Sequence, residues 1–408
     1  MKRSLALVIL IVVCMAAAAL MPALANQQDL KPTGAAGDTD KLVRAGAGAI
    51  PGSYIVVLDV DAAGKSGDLF NSAKMSSDLT NAYGGVTRNI YAYAINGFSA
   101  EMSEEQALKL SSDPRVKFVE EDSVMEATVT QNNPPWGLDR IDQRNRPLSA
   151  TYSYTATGSG VNVYIIDTGI RRTHTQFGGR AFVGFDSIGD GQNTNDCNGH
   201  GTHVSGTVGG STYGVAKAVR LFAVRVLNCS GSGTNSGVIA GVDWVTANHI
   251  SPAVANMSLG GGASTALDTA VNNSINSGVT YAVAAGNSNT NASNSSPARV
   301  AAAITVGSST INDARSSFSN FGSVVDIFAP GSSILSAWRT SDTATATLSG
   351  TSMASPHVAG VAARFLQSNP TASPATVRNE IVNQATLNVL SGIPTGTANR
   401  LLFWSSTR

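Results

Sequence analysis

Four short segments of this chain carry groups able to do chemistry. Asp167 ends the apolar run Val163-Tyr164-Ile165-Ile166 and is followed by Thr168-Gly169. An ionised carboxylate in that position is costly unless a partner compensates it. Asn198-Gly199-His200-Gly201-Thr202-His203 sets two of the five histidines three residues apart, at the start of a helical pattern. Gly350-Thr351-Ser352-Met353-Ala354-Ser355-Pro356-His357 opens the most apolar helical stretch. Ser352 there lies ahead of backbone N–H groups that have no helical acceptor. Ala284-Ala285-Gly286-Asn287 follows another apolar run and offers a side-chain amide. A carboxylate, an imidazole, a hydroxyl and an amide donor are what a serine needs to open an amide bond. The hydroxyl attacks, a base takes its proton, and donors meet the new oxyanion.

Taken singly, each segment has a plainer explanation. Asp167 and Ser352 could be caps, and Gly286-Asn287 a turn. His200 and His203 could hold zinc, although the HExxH pattern is absent and no third ligand is evident. Spacing alone does not say which of the two would be the base.

The elements that must position these residues are legible from about Pro134 onward. Strand candidates are Val161–Asp167, Leu221–Val226, Val254–Met257, Val279–Ala284, Ala302–Val306 and Val325–Ile327. Helix candidates are Gly201–Gly209, Ser236–His249, Leu267–Ser277 and Met353–Ser368. The strand runs lack polar alternation, which implies burial on both faces: an α/β fold with a doubly wound, mostly parallel sheet. In such sheets chemistry gathers at the carboxyl ends of the strands, where Asp167 and Asn287 fall.

Ahead of this region the texture differs. Residues 51–127 predict a small α+β domain in the ferredoxin-like order βαββαβ, with Ser103 capping a helix that Asp113-Pro114 ends. Residues 26–50 lack periodicity and predict a flexible lead-in. Residues 1–25 predict a signal peptide: Lys2 and Arg3, an apolar run from Leu5 to Leu20, then Ala23-Leu24-Ala25 as the cleavage pattern. The domain at 128–408 would then be extracellular, and no further run reaches membrane-spanning length.

The chain of 408 residues is 42% hydrophobic and 13% charged, hence globular and too long for one ordinary core. Its net charge of zero hides a split: residues 26–127 carry net −6 and residues 128–408 net +4. The second value is no footprint for nucleic acid. Apart from Cys14 in the leader, only Cys197 and Cys229 remain, and two exported cysteines most simply form one disulfide.

The four segments, in the order Asp, His, Asn, Ser, resemble those of the subtilisin-like (subtilase) serine proteases over nearly all of Pro134–Arg408. Residues 51–127 resemble that family's inhibitory propeptide. Asp196-Cys197-Asn198-Gly199-His200 and Ala223-Val224-Arg225-Val226-Leu227-Asn228-Cys229 are most similar to the proteinase K branch and its aqualysin-type bacterial enzymes.

The resemblance implies a zymogen that cuts itself near Ala127–Val129 and acts as a secreted, monomeric endopeptidase on proteins and peptides. Asp167, His200 and Ser352 would be the triad, Asn287 the oxyanion donor, and the other four histidines structural. Ser258-Leu259-Gly260-Gly261 and Ala284-Ala285-Gly286 resemble the substrate-binding walls. They contain no acidic residue, so apolar or aromatic side chains should be preferred at P1. The resemblance also implies structural Ca²⁺ at Asp326 with the carbonyls of Ala301 and Ala303, and at Asp139, Asp142, Gln143 and Ser149. Ser293 and Val324 stand where aqualysin-like enzymes carry a second disulfide, so Cys197–Cys229 alone should form. The rivals are an inactive subtilase fold used for binding, and a metalloprotease using His200 and His203.

Overall fold

In the computed structural model, residues 41–45, 49–59, 67–125 and 128–406 are described. The predicted signal peptide and most of the lead-in lie outside them. The chain divides into two units, one of Met1–Val43 with Tyr54–Glu120, the other of Arg44–Ser53 with Glu121–Arg408.

The elements up to Ser123, most of whose residues belong to the first unit, are β1 (Leu42–Val43), β2 (Ala49–Leu58), α1 (Leu69–Tyr83), β3 (Val86–Tyr91), β4 (Gly97–Glu101), α2 (Glu104–Ser111) and β5 (Val116–Ser123). The sheet order β1-β5-β2-β4-β3 contains the ferredoxin-like arrangement expected for βαββαβ. Val56, Leu79, Phe98, Leu110 and Val119 form its core. Ser103 and Gln106 make the reciprocal capping box that the sequence announces. The lead-in reading is corrected over residues 41–45 and 49–50. Leu42 is buried and β1 pairs in parallel with β5, while β2 already begins at Ala49. A two-residue strand has no period to read, and its partner is 77 residues away in sequence.

The second unit is built on a nine-stranded sheet. Its early elements are β6 (Val129–Asn132), α3 (Trp136–Ile141), β7 (Thr151–Tyr154), β8 (Asn162–Asp167), β9 (Ala181–Asp186), α4 (His200–Gly209), β10 (Arg220–Arg225) and α5 (Asn235–Asn248). Then come β11 (Ala253–Met257), β12 (Gly261–Gly262), α6 (Thr265–Asn276), β13 (Thr280–Ala284), β14 (Ser295–Ser296), β15 (Ile304–Ser309) and β16 (Ile327–Pro330). The chain finishes with β17 (Ile334–Ala337), β18 (Thr345–Leu348), α7 (Thr351–Ser368), α8 (Pro374–Gln384), β19 (Thr386–Leu387) and β20 (Arg400–Leu401).

The sheet order is β19-β20-β16-β15-β13-β11-β8-β10-β9, parallel throughout except for β19 against β20. Consecutive residues of β8 feed two different cores. Val163 and Ile165 join Val204, Val208, Val358 and Ala362 from α4 and α7 on one face. Tyr164 and Ile166 join Val242, Val245, Val271 and Ile275 from α5 and α6 on the other. This double burial is why the strand reads as a continuous apolar run.

Two predicted strands shift: Ala302–Val306 becomes Ile304–Ser309, and Val325–Ile327 becomes Ile327–Pro330. Their downstream ends bury Ser308, Ser309 and Pro330, residues that do not announce a strand. The edge strand β9, half-exposed along most of its length, gave no signal. Among the described residues no helix is long and apolar enough to cross a membrane.

Candidate active site

Neighbouring strands β8, β11 and β13 end at Asp167, Met257 and Ala284. Helices α4 and α7 begin at His200 and Thr351. All five ends lie at the carboxyl edge of the sheet, where ligands of doubly wound folds bind.

Asp167 is fully buried. Its Oδ1 and Oδ2 lie 2.8 and 3.0 Å from His200 Nδ1, and Oδ1 also accepts the Thr168 N–H at 2.7 Å. Burial works against a charge on His200, but the field and hydrogen bond of Asp167 outweigh it, so the imidazole pKa is raised.

Two glycines make this approach possible. A Cβ on Gly201 would fall 2.2 Å from the Gly169 carbonyl, and Gly199, at φ +114°, would drive one into Trp338. The turn is fixed by Asp196, whose Oδ1 accepts from Thr168 Oγ1 and from the N–H groups of Asn198 and Gly199. Its Oδ2 accepts from Thr202. In the sequence, Asp196 and Thr168 stand only as neighbours of His200 and Asp167.

The two histidines face different ways, His200 toward Asp167. His203 points into the interior, with Nε2 on the carbonyls of Ile334 and Ala346 at 3.0 and 3.1 Å. Burial lowers its pKa to about 4. His357 is likewise buried, on Met353 O, with its pKa lowered to about 4 by burial. His174 and His249 bond to the carbonyls of Ala344 and Thr246.

Ser352 is the second residue of α7. Its hydroxyl donates to the Ser258 carbonyl at 3.1 Å and not to His200. Asn287 presents its amide beside it. Oδ1 accepts from both the backbone N–H and the hydroxyl of Thr351, at 2.8 and 2.9 Å. That fixes the amide orientation and leaves Nδ2 as the outward donor. Thr351 was missed as a functional residue; its only sequence signal is its place beside Ser352.

Two clefts share the wall Leu259-Gly260-Gly261. One, of about 560 Å³, includes His200, Asn198, Leu227 and Ser258. The other, of about 360 Å³, is lined by Ala284, Ala285, Gly286, Asn287 and Ser352 together with Ser295, Ala298 and Asn320, and no charged residue. Asn320, not anticipated from sequence, shapes this wall by donating to Ala285 O and accepting from Ser288 and Thr290.

Cys197 and Cys229 are joined, tying the segment just before His200 to the loop that borders the larger cleft. The buried Arg225 guanidinium lies 3.4 Å from Cys197 Sγ and pairs with Asp186 and Asp190. Asp190 and the two sulfurs cluster closely, but disulfide sulfurs are not thiolate ligands.

The two predicted calcium groups differ. Asp139 Oδ1 accepts from Ser149, Gln143 Oε1 accepts the Ser149 N–H, and Asp142 Oδ1 is buried without a partner. An oxygen-rich set with an orphaned carboxylate oxygen fits a calcium ion. Asp326 is instead held by the Thr305 N–H on one oxygen and by Arg378 on the other. A cation is thus already supplied there, and calcium would have to displace it.

Residues 158–401 match the Subtilase family (Peptidase_S8). The chain belongs to the subtilase family. Residues 53–128 of this subtilase match the peptidase inhibitor I9 family. It is 53% identical over 314 residues to the extracellular serine proteinase of Thermus sp. (strain Rt41A), covering 77% of each chain. It is 52% identical over 364 residues to alkaline serine exoprotease A of Vibrio alginolyticus, covering 87% of this chain and 68% of that one. The crystal structure of a cold adapted subtilisin-like serine proteinase superposes with a TM-score of 0.65 at 57% identity, covering 67% of this chain and 98% of that one. This subtilase is therefore a serine protease made with an I9 inhibitor domain.

Proposed function

We propose that this subtilase is a secreted, autoprocessed endopeptidase that cleaves proteins broadly after apolar or aromatic residues, with Asp167, His200 and Ser352 as its triad. The observation that carries the reading is the buried Asp167 carboxylate on His200 Nδ1. It leaves Nε2 as the base and stabilises the imidazolium.

Ser352 Oγ attacks the scissile carbonyl carbon while His200 Nε2 takes its proton. The resulting oxyanion meets Asn287 Nδ2 and the Ser352 N–H, which is free because it lies in the first turn of α7. The C–N bond then breaks, and His200 passes its proton to the departing amine. Water, deprotonated by the same nitrogen, hydrolyses the acyl-enzyme.

The uncharged cleft beside Ser352 supports an apolar P1 side chain. The proposed maturation bond, near Ala127–Val129, falls partly on residues outside those described. Residues 51–127 would act as the propeptide, and 128–408 as the enzyme. The extracellular naming of the Thermus relative supports export. Asp139, Asp142, Gln143 and Ser149 would hold a calcium ion, whose charge would stabilise the fold without entering the chemistry.

The test is covalent. A serine-directed fluorophosphonate should label the matured wild type at Ser352 and leave Ser352→Ala unlabelled. N-terminal sequencing of that material should begin near Thr128, and a digest of an unfolded protein should show cuts after apolar residues. A wild type that is folded and matured yet not labelled would overturn the assignment.

A further inference from the structure

The Ser352 carbonyl lacks its helical partner. In an α-helix it would accept the N–H four residues on, but that residue is Pro356, which has none. The vacancy is filled from another element: Ser258 Oγ donates to Ser352 O at 2.8 Å. Having spent its proton, that hydroxyl accepts one from Asn256 Nδ2 at 2.9 Å. The Asn256 Oδ1 in turn accepts from Ser355 Oγ at 2.8 Å. Asn256 and Ser355 are completely buried, and Ser258 nearly so.

The donors therefore run one way, Ser355 to Asn256 to Ser258 to Ser352. The relay starts on α7, crosses to the end of β11 and returns to α7 at the nucleophile. The Ser258 carbonyl also accepts the Ser352 hydroxyl, so Ser258 grips the nucleophile at two atoms.

We infer that Ser355 and Asn256 are positioning residues that, through Ser258, set the nucleophile turn against the cleft wall that Ser258 begins. The inference rests on Ser352 being the nucleophile. Neither Ser355 nor Asn256 lines either cleft, so neither touches substrate. Their effect would come from the steep dependence of attack on sub-ångström placement and from the one-way polarisation of a closed network.

The test uses the full precursor, matured and counted by active-site titration. Ser355→Ala is expected to lower kcat per titrated site by about tenfold while KM stays within about twofold, the signature of a loss felt in the chemical step. Sulfonylation of the Ser352 oxygen by phenylmethanesulfonyl fluoride, which releases fluoride and carries no peptide backbone, should slow by the same factor. Ser355→Thr, which keeps the hydroxyl, should restore kcat. In a Ser258→Ala background, Ser355→Ala should cost nothing further. Should Ser355→Ala fail to mature, Ser355→Cys keeps the volume and weakens the donor, and the same fall in kcat is expected of it.

Unchanged kcat per titrated site with only a lower melting temperature would overturn the inference. So would losses that multiply in the double variant. Failure of wild type itself to be sulfonylated would instead sink the assignment of Ser352.

Discussion

Thr351 holds Asn287 by two hydrogen bonds to one oxygen, 2.8 Å from its backbone N–H and 2.9 Å from its hydroxyl. The amide can then offer only Nδ2 to the substrate. Asn287→Ala is expected to reduce kcat by about two to three orders of magnitude, a size known within this family rather than derived from the geometry. Thr351→Val removes one of the two restraints and should cost about tenfold, again in kcat more than KM. Steady-state kinetics on a peptide amide check both, and equal kcat for Thr351→Val and wild type would contradict the restraint.

His200 must be neutral to act as a base, and Asp167 raises its pKa. The acid limb of kcat/KM should therefore lie above the ordinary histidine value. Asp167→Asn should move that limb to lower pH, since burial is then opposed only by the charge of Asp196, and should lower kcat about 10⁴-fold through loss of the correct tautomer. A pH–rate profile of both enzymes decides it; an unshifted limb would count against the pair.

Calcium should raise the melting temperature of the matured, inhibitor-blocked enzyme, by about 2.7 kcal/mol of stability at one hundred times its Kd. Asp142→Asn should abolish most of that response. Arg378→Met should leave wild-type stability out of reach without calcium, because it strips the cation from the buried Asp326 carboxylate. Calorimetry with and without chelator reads all three, and a full calcium response in Asp142→Asn would exclude that locus.

Lys217, the sole lysine of residues 128–408, donates to the carbonyls of Thr212 and Gly214. It lies within 5.5 Å of the Tyr152 and Tyr154 ring centres. Burial, and then the charges of Arg364 and Arg180, lower its pKa from 10.5 to about 7. Between those values the unfolded chain binds the proton and the folded one does not, so stability rises with pH across the interval. Lys217→Met removes this slope. Wild type should gain on the variant from pH 7 to pH 10.5 in urea melts of blocked enzyme; parallel curves would refute the lowered pKa.

The Cys197–Cys229 bond closes a separation of 32 residues. Its removal as Cys197→Ser with Cys229→Ser should cost about 3–4 kcal/mol on loop entropy. Urea denaturation measures it, and a loss below about 1 kcal/mol would mean that the unfolded chain is little constrained by the link.

Much of this protein is legible in its residues. The apolar runs of β8, β11 and β13 announce strands buried on both faces, because every side chain there meets a helix layer. Ser103 with Gln106 announces a helix start, because both partners of the cap lie within one turn. The edge strand β9 and the two-residue β1 are invisible, because half-exposed or very short segments carry no period.

Within the site, the types and order of Asp167, His200, Asn287 and Ser352 were set by the chain itself, and with them the class of chemistry. Which histidine faces the carboxylate was not: His200 and His203 stand on one helix, and only the packing of α4 turns one to Asp167 and the other to Ile334 O. Nor could sequence show Thr351 holding Asn287, Arg378 meeting Asp326, or Ser258 reaching the carbonyl that Pro356 leaves open. Each of these joins residues 52 to 94 positions apart, and a hydrogen bond over that span exists only once the folded backbone has brought its donor and acceptor together.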